Sequence, residues 1–233
     1  MKEILVILSG YKRDYFKEQI AAIKSQQDII VKEIVVWQNE NHVNLDYLRE
    51  HGVKIINSDI NFKFHGRFTI PLLFDDVEYT AIFDDDTIPG NKWLQNAIRC
   101  VDEHGCIAGQ NGRNYDLNTK VFTGAGDSGR MPRDTKFDFV GHCWVFRTEV
   151  IRSLWMQKQV TYVTGEDMQF CLAAKHHLNV DSYCVRQTCN EDAGQTRGSY
   201  ASDEHASYKT PGGSSSLRSD IYQQCYNNLR NAQ

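Results

Sequence analysis

Apolar and polar positions in the first 85 residues switch between two periods, one typical of buried strands and one typical of helices. Residues 4–8 form a continuous apolar run, as in a strand buried on both faces. Residues 14–27 then place apolar side chains every three to four positions, which predicts a helix. Further strands are expected at 33–37, 53–56 and 79–83, with a short helix at 45–51. This alternation predicts βαβ units and a mostly parallel sheet.

The second half of the chain is less regular. We expect helices at 93–103, 149–156, 166–177 and 221–229, and strands at 106–110, 137–147 and 181–185. Gly, Asp, Ser and Arg dominate residues 124–133, which predicts a loop. Gly, Ser and Thr dominate residues 192–219, which predicts a flexible loop that orders over a bound ligand. No repeat or domain boundary interrupts the pattern, so we expect a single domain.

The composition is that of an ordinary globular domain of 233 residues, 41% hydrophobic and 24% charged. A chain of this length buries enough surface to fold without disulfides or a metal. The formal net charge of −4 argues against a broad nucleic-acid-binding surface. Seven cysteines without a C-x-x-C pair favour a reducing compartment. With no signal-peptide pattern and no apolar stretch of about 20 residues, we expect a cytoplasmic protein without a membrane span.

Three consecutive aspartates, Asp84, Asp85 and Asp86, follow directly on the predicted strand 79–83. The carboxyl ends of parallel strands form the edge at which open α/β folds bind ligands. Adjacent carboxylates repel one another, and a hard divalent cation such as Mn²⁺ or Mg²⁺ relieves that repulsion. Few carboxylates are needed where substrate phosphates complete the coordination shell. The motif therefore predicts a metal site; the alternative is a solvated acidic turn.

Hydrolytic chemistry is a poorer interpretation of the same motif. Phosphohydrolases of the haloacid-dehalogenase type carry D-x-D-x-[TV] after their first strand. Here the fifth position from Asp84 is Ile88, and the motif follows the fourth predicted strand. The sequence also contains no G-x-S-x-G, H-E-x-x-H or Walker loop.

With the acidic motif placed after two βα units, the sequence resembles nucleotide-sugar-dependent glycosyltransferases of the GT-A fold. The resemblance runs from residue 4 to about residue 192. The sequence is similar to the exostosin-type branch, in which an Asn/Arg-Phe segment, here 57–68, precedes the DDD strand. It is also similar to small virus-encoded glycosyltransferases. Gly165-Glu166-Asp167 resembles the acidic pair that opens a late helix in many of these enzymes. The resemblance implies one α/β domain, with a mostly parallel nucleotide-binding half at about 1–90 and a mixed acceptor half at about 91–233.

The resemblance also implies roles for individual residues around the donor. Asp84 would lie near the ribose or base, and Asp85 would orient the sugar or a metal-bound water. Asp86 would bind the Mn²⁺ or Mg²⁺ that bridges the diphosphate. His205 is a candidate metal ligand, with an exposed loop histidine as its alternative. The other candidate donor-binding residues are Ser9, Arg13, Gln38, Asn39 and Arg67.

The resemblance implies that Arg67 neutralises a phosphate of the donor. The planar guanidinium suits this role, because its paired N–H donors match the oxygens of a phosphate. Its alternative is a surface arginine on a helix. On the strand 137–147, His142 and Trp144 alternate and are expected on one face, with Trp144 either stacking on a sugar or lying in the core.

Asp167 and Glu166 are the candidate catalytic residues, with Asp167 favoured as the base. In an inverting enzyme this carboxylate takes the proton of the acceptor hydroxyl, and in a retaining enzyme it stabilises positive charge on the sugar. The alternative is structural, since Thr164 and Asp167 have the spacing of a helix cap and acids are favoured at a helix start.

The sequence thus predicts a metal-dependent glycosyltransferase, transferring a hexosyl or deoxyhexosyl group from a nucleoside diphosphate sugar, UDP-linked as first choice, to a hydroxyl of a glycan or glycoprotein acceptor. One alternative is a sugar-phosphate nucleotidyltransferase, although residues 9–13 are a weak version of its Gly-rich basic loop. Another is a non-catalytic carbohydrate-binding protein, against which the large α/β half argues.

Overall fold

The computed structural model describes residues 1–40, 42–74, 76–124, 130–197 and 214–231. Within these residues a nine-stranded sheet has the order β3-β2-β1-β4-β8-β5-β9-β7, with β6 paired to β5. The strands are Lys2–Gly10 (β1), Ile29–Asn39 (β2), Lys54–Ser58 (β3), Tyr79–Phe83 (β4), Ile107–Asp116 (β5), Val121–Gly124 (β6), Thr135–Phe137 (β7), Phe139–Arg147 (β8) and Ser182–Cys184 (β9).

In the described ranges, four α-helices pack on this sheet: Phe16–Lys24 (α1), Trp93–His104 (α2), Glu166–Leu178 (α3) and Ser215–Asn231 (α4). Shorter 3-10 helices cover Asp46–His51, Gly66–Phe68, Ile70–Leu73 and Thr148–Trp155. In the described part of the chain, no helix combines the length and the apolar character needed to cross a membrane.

The strands β1 to β4 are parallel to one another, as the alternating pattern predicts. Strand β8 then runs antiparallel to both β4 and β5, which makes the second half mixed. The carboxyl ends of β1 to β4 and the beginning of β8 therefore meet at one edge of the sheet, named the carboxyl edge below. Asp84 follows Phe83, the last residue of β4, and so the acidic motif lies at this edge.

Strand β1 is buried on both faces, in agreement with its continuous apolar run. Ile4, Val6 and Leu8 pack into one core cluster, together with side chains of α1 and α2. Leu5 and Ile7 pack into a second cluster on the other face, together with side chains of α3 and α4. Each such side chain contributes about 1.5–3 kcal/mol on full burial, so both layers of helices are fixed to the strand that leads into the carboxyl edge.

Several predicted boundaries in the second half are wrong. Strand β5 runs to Asp116, not to residue 110. The predicted strand 137–147 is two strands, β7 and β8, with Asp138 between them. Helix α4 begins at Ser215, not at residue 221, so the predicted flexible loop 192–219 ends earlier than expected. Residues 198–213 of that loop, and 125–129 of the predicted loop 124–133, lie outside the described residues.

Candidate functional site at the carboxyl edge

The three aspartates occupy a turn whose main chain is held from both sides. The Asp84 N–H donates to the carbonyl of His142 at 3.0 Å. Gln19 Nε2 donates to the carbonyls of Asp84 and Thr87 at 2.7 and 2.9 Å. On the other side Gln195 Nε2 donates to the carbonyl of Asp86 at 2.7 Å. Asp86 is only 5% exposed, so the turn is a packed scaffold and not the solvated acidic turn that was the alternative.

Arg13, in the loop after β1, pairs with the second and third carboxylates. Its Nη1 lies 2.5 Å from Asp85 Oδ1 and 3.8 Å from Asp86 Oδ2. Burial raises the pKa of Asp85 to about 7; Arg13 opposes this shift, and the negative charges of Asp86 and Asp84 add to it. The single positive charge of Arg13 therefore does not compensate the negative charge of these carboxylates.

Arg67 connects the aspartate turn to helix α3. Its side chain is 4% exposed, and it donates from Nη1 to Asp84 Oδ1 and from Nη2 to Glu166 Oε1, the latter at 2.8 Å. The guanidinium also lies over the ring of Trp144, 4.8 Å from its centroid. Burial alone would lower the pKa of Arg67, but the two carboxylates together raise it. The surface-arginine alternative is thus wrong, because the side chain is a buried bridge between two acids.

Helix α3 begins differently from the capping arrangement considered above. The residue that precedes the helix is Gly165, with a φ of 77° and no side chain to act as a cap; within the first turn, Asp167 Oδ1 accepts from the Met168 N–H at 2.8 Å. Thr164 is therefore not the cap. Because a left-handed residue is tolerated mainly by glycine, Gly165 sets the point at which the helix starts.

Glu166 and Asp167 bind different arginines. Glu166 is 6% exposed and faces Arg67. Burial raises the pKa of Glu166 to about 7, and the neighbouring Asp167 adds to the shift. Asp167 Oδ2 instead accepts from Arg218 Nη2 at 2.7 Å, which ties α3 to the beginning of α4. The two adjacent acids thus bind arginines from two segments that are far apart in the sequence.

Together these contacts form a row of alternating charges across the carboxyl edge. The pairs are Arg13 with Asp85, Arg67 with Asp84 and Glu166, and Arg218 with Asp167. Five carboxylates, counting Asp86, and three guanidiniums give −5 + 3 = −2 as the formal charge of the row. A divalent cation carries the opposite charge, and carboxylate oxygens are ligands of the kind that Mg²⁺ and Mn²⁺ accept.

The remaining donor-binding candidates have varied surroundings. Ser9 Oγ accepts from Arg67 Nη1 at 3.4 Å, so Ser9 does lie at the row. Gln38 is buried and donates to the carbonyl of Val43 at 2.8 Å. Asn39 is buried as well, and its amide binds Asn61 Oδ1 and the main chain of residues 62 and 63. These two side chains hold the loops that follow β2 and β3. His205 lies outside the described residues.

Three site residues were missed by sequence reasoning. Arg218 carries no local signal, because its partner is 51 positions away in the sequence. Gln195 lies in the segment predicted to be flexible, yet it is 9% exposed and braces the aspartate turn. Gln19 does carry a signal: it interrupts the apolar stripe of α1, formed by Phe16, Ile20 and Ile23, and a buried polar residue needs partners.

Strand β8 contributes its carbonyl at residue 142 through a local irregularity. His142 has a φ of 68°, and the pairing of β5 with β8 shifts register at this point. His142 Nδ1 lies 4.0 Å from Asp84 Oδ2, whereas Trp144 is 1% exposed and packs in the core. The backbone alternation is therefore irregular at His142, yet both side chains lie beside the Arg67–Asp84 pair, and their shared face stays a prediction. Trp144 supports Arg67 from below and has no surface on which a sugar could stack.

In the described part of the chain, two cavities lie near the carboxyl ends of β2 and β3 and near the segment that contains Arg67. A cavity of about 360 Å³ beyond β2 and β3 is lined by His42, Val43, Asn44, Leu45, Asp46 and Asn57. A second, of about 320 Å³, lies between residues 61–69 and the segment before α3, and Phe62, His65, Trp155 and Tyr162 are among its lining residues. Burial lowers the pKa of His65 to about 4, so this imidazole is neutral at physiological pH.

Among the described residues, the cluster of three or more His, Cys, Asp or Glu ligand atoms lying within 4.8 Å of one another is Cys100, His104 and Asp134. It is formed by α2 and the residue before β7, and not by the acids of the row. The acids of the row therefore do not bring three ligand atoms that close together in the described part of the chain, and the metal site predicted at Asp86 stays a prediction.

Comparisons with known proteins show the fold of this chain. No protein-family model and no curated protein matches the sequence. Among solved structures, the chain is similar to S. aureus TarS, a glycosyltransferase, with a TM-score of 0.54 and 16% sequence identity over 80% of this chain. The match spans 37% of TarS. The predicted fold class, an α/β domain of GT-A-like architecture, is confirmed.

Proposed function

We propose that this protein is a metal-dependent glycosyltransferase that moves a hexosyl or deoxyhexosyl group from a nucleoside diphosphate sugar, UDP-linked as first choice, to a hydroxyl of a glycan or glycoprotein. The observation that carries the proposal is the row of charges. It brings the acids after β4 and the acids at the start of α3 to one edge, through the buried bridge of Arg67. The similarity of the fold to TarS is consistent with this activity.

Asp86 is the residue we assign to the cation, Mn²⁺ or Mg²⁺. The fit rests on the donor set, which is all oxygen, and on the formal charge of −2 that three guanidiniums leave uncompensated. When bound, such a cation stabilises the negative charge that develops on a departing nucleoside diphosphate. Arg13 lies beside Asp85 and Asp86 and is the protein group placed to meet the same phosphates.

Asp167 is the candidate base for an inverting transfer. Its side chain is 13% exposed against 8% for Glu166, and its partner Arg218 is 26% exposed, so this acid faces the open side of the row. A base of this kind accepts the proton of the acceptor hydroxyl while that oxygen attacks the anomeric carbon. Arg218 orients the carboxylate through its hydrogen bond to Asp167 Oδ2. Glu166 is instead locked against Arg67 and positions the segment.

The two cavities suggest where the substrates lie. The polar cavity lies at the carboxyl ends of β2 and β3, on the same edge of the sheet as the aspartate turn, and we assign it to the base and ribose of the nucleotide. The cavity with Phe62, Trp155 and Tyr162 adjoins the segment that leads into Glu166, and we assign it to the acceptor sugar. Aromatic faces with a few polar groups between them suit a ring that is apolar on one side and polar at its rim.

The test is a donor panel. Purified protein is incubated with UDP-, GDP-, CMP- and dTDP-sugars, with Mn²⁺, with Mg²⁺ or with a chelator, and released nucleotide is measured. We expect one nucleoside diphosphate sugar to be turned over, and the chelator to stop it. Pyrophosphate release from a nucleoside triphosphate and a sugar phosphate would instead indicate the nucleotidyltransferase. Sugar binding without any nucleotide affinity would indicate the carbohydrate-binding protein.

Location is a separate expectation. The seven cysteines are free thiols in the structure, and six of them are buried. We keep a reducing, cytoplasmic location as our proposal. Thiol titration of protein isolated under alkylating conditions tests it, since alkylation of fewer than seven cysteines after denaturation would contradict it.

A further inference from the structure

We propose that Cys100, His104, Cys106 and Asp134 form a second metal site, specific for a thiophilic cation of the Zn²⁺ class. The ligand atoms of Cys100, His104 and Asp134 all lie within 4.8 Å of one another. Cys100 and His104 are four positions apart on α2, so their side chains share one face of the helix. Asp134, the residue immediately before β7, supplies the third ligand atom. The proposal does not depend on the function assigned to the carboxyl edge.

The types of donor favour zinc over the cation assigned to Asp86. A thiolate, an imidazole and a carboxylate are all zinc ligands, and structural zinc sites hold four protein ligands in a tetrahedron. Mg²⁺ and Mn²⁺ prefer oxygen ligands, and thiolates select softer ions. The chain would then carry two sites that sort metals by the softness of their ligands.

The separation between two sulfurs is an independent observation. Cys100 Sγ and Cys106 Sγ lie 3.8 Å apart. This is far beyond the roughly 2.05 Å of a disulfide bond. It matches the separation of about 3.8 Å between two thiolates on the same tetrahedral zinc, given Zn–S bonds of about 2.3 Å. Cys106 Sγ is outside the 4.8 Å group and must turn toward His104 for all four ligands to meet.

Neighbouring groups fix the orientation of the ligands, as partners of zinc ligands commonly do. Arg99 donates to Asp134 from Nη1 at 2.9 Å and from Nη2 at 3.0 Å, and the Arg186 N–H donates to it at 2.7 Å. The ring of His104 stacks on Tyr183, with centroids 4.4 Å apart and planes at 4°.

Charge is balanced when the site is filled. Two thiolates and Asp134 carry −3, and Arg99 carries +1, so a divalent cation neutralises the group; the exposed Glu103 also pairs with Arg99. Binding replaces the two thiol protons, which pass to solvent, and no group is oxidised or reduced. The alternative is a plain ion pair between His104 Nε2 and Asp134 Oδ2, which are 3.5 Å apart. In that alternative the two thiols only contact each other, and Cys106 Sγ donates to the Cys100 carbonyl at 3.5 Å.

A filled site would join three parts of the fold at the edge of the sheet that lies away from the aspartate turn. Cys100 and His104 belong to the last half of α2, and Cys106 immediately precedes β5. The C-terminal end of α2 lies near the start of β4, because the Tyr79 hydroxyl donates to Asp102 Oδ1 at 2.5 Å. The metal would therefore link α2, the start of β5 and the start of the short edge strand β7.

The experiment uses the full chain, stripped with a chelator and titrated with Co²⁺ as a spectroscopic probe and with Zn²⁺. We expect one equivalent of Co²⁺ to give a thiolate-to-metal charge-transfer band, Zn²⁺ to displace it, and the zinc form to melt at a higher temperature. Cys100→Ser and His104→Gln should each weaken Zn²⁺ binding at least tenfold, and Cys106→Ser should reduce the band by about half. Cys225→Ser, which alters another buried thiol, is the control and should change nothing.

Three results would overturn the proposal. One is the lack of a charge-transfer band with the wild type, and another is a band of full intensity in Cys100→Ser. His104→Gln covers the case in which Cys100→Ser does not fold, since His104 is partly exposed at the end of its helix. Unchanged Zn²⁺ affinity in that variant is the third.

Discussion

Replacing Arg67 with methionine tests whether the buried bridge organises the carboxyl edge. The substitution keeps most of the side-chain volume but leaves Asp84 and Glu166 without their shared guanidinium. Removing one partner of a buried ion pair costs about 3–5 kcal/mol, because a charge is left uncompensated. At pH 8 we therefore expect Arg67→Met to lower the free energy of unfolding by about 3–5 kcal/mol.

The loss should depend on pH in a particular direction. Burial already raises the pKa of Glu166 to about 7, and the loss of Arg67 raises it further. At pH 6 Glu166 then takes up a proton and no longer needs a cation, so we expect a smaller loss than at pH 8. The double variant Arg67→Met/Glu166→Gln should be more stable at pH 8 than Arg67→Met alone.

Urea unfolding at both pH values measures these differences, with unchanged m-values as the check that the denatured state is comparable. Arg49→Met is the matched control. Arg49 pairs with Asp46 on the surface, where both side chains are more than half exposed, and its loss should be undetectable. An Arg67→Met variant as stable as the wild type, or an equal loss at pH 6 and pH 8, would refute the reasoning.

Three further predictions concern the same region. Asp167→Asn should lower transfer by about 10²–10⁴-fold, the usual share of a general base, while UDP–Mn²⁺ affinity stays constant; a parallel loss of affinity would contradict the assignment. Because the pKa of Glu166 is raised to about 7 from 4.5, the metal-free native state binds more protons than the unfolded chain between these values. This contribution to stability is therefore lost as pH rises through 7, and Glu166→Gln should flatten a melting-temperature profile taken from pH 5 to 8. Gly165→Ala should destabilise the protein by about 1–2 kcal/mol in urea unfolding, because its φ is 77° and a Cβ would lie 2.9 Å from Met168 Cε; no loss would mean that α3 can start elsewhere.

The fold was predictable where one local pattern decided the structure. The apolar run before the aspartates gave the limits of β4 without error, because both faces of this strand are buried and charge begins abruptly at Asp84. Helix α2 starts where the apolar repeat starts, at Trp93. The short strand β6 was missed and β7 was merged with β8, since three or four residues at the edge of a sheet carry no period.

The connections within the site were less predictable, because they join distant residues. The partners Arg67 and Glu166 are 99 positions apart, and nothing near either residue indicates the other. The start of α3 at Glu166 was predicted correctly, but the capping residue was not: Thr164 has the side chain of a cap, whereas the residue before the helix is the left-handed Gly165. The sequence thus predicted the acids of the site, but not which arginine each acid binds.

The measurement that most directly tests the central claim is calorimetric titration of UDP into the protein, with Mn²⁺ and with a chelator, for the wild type and two variants. We expect binding to require Mn²⁺ in the wild type, to weaken at least 100-fold in Asp86→Asn, and to persist in His104→Gln, which alters only the proposed thiophilic site. UDP affinity that is the same with and without Mn²⁺, or unchanged in Asp86→Asn, would contradict the account.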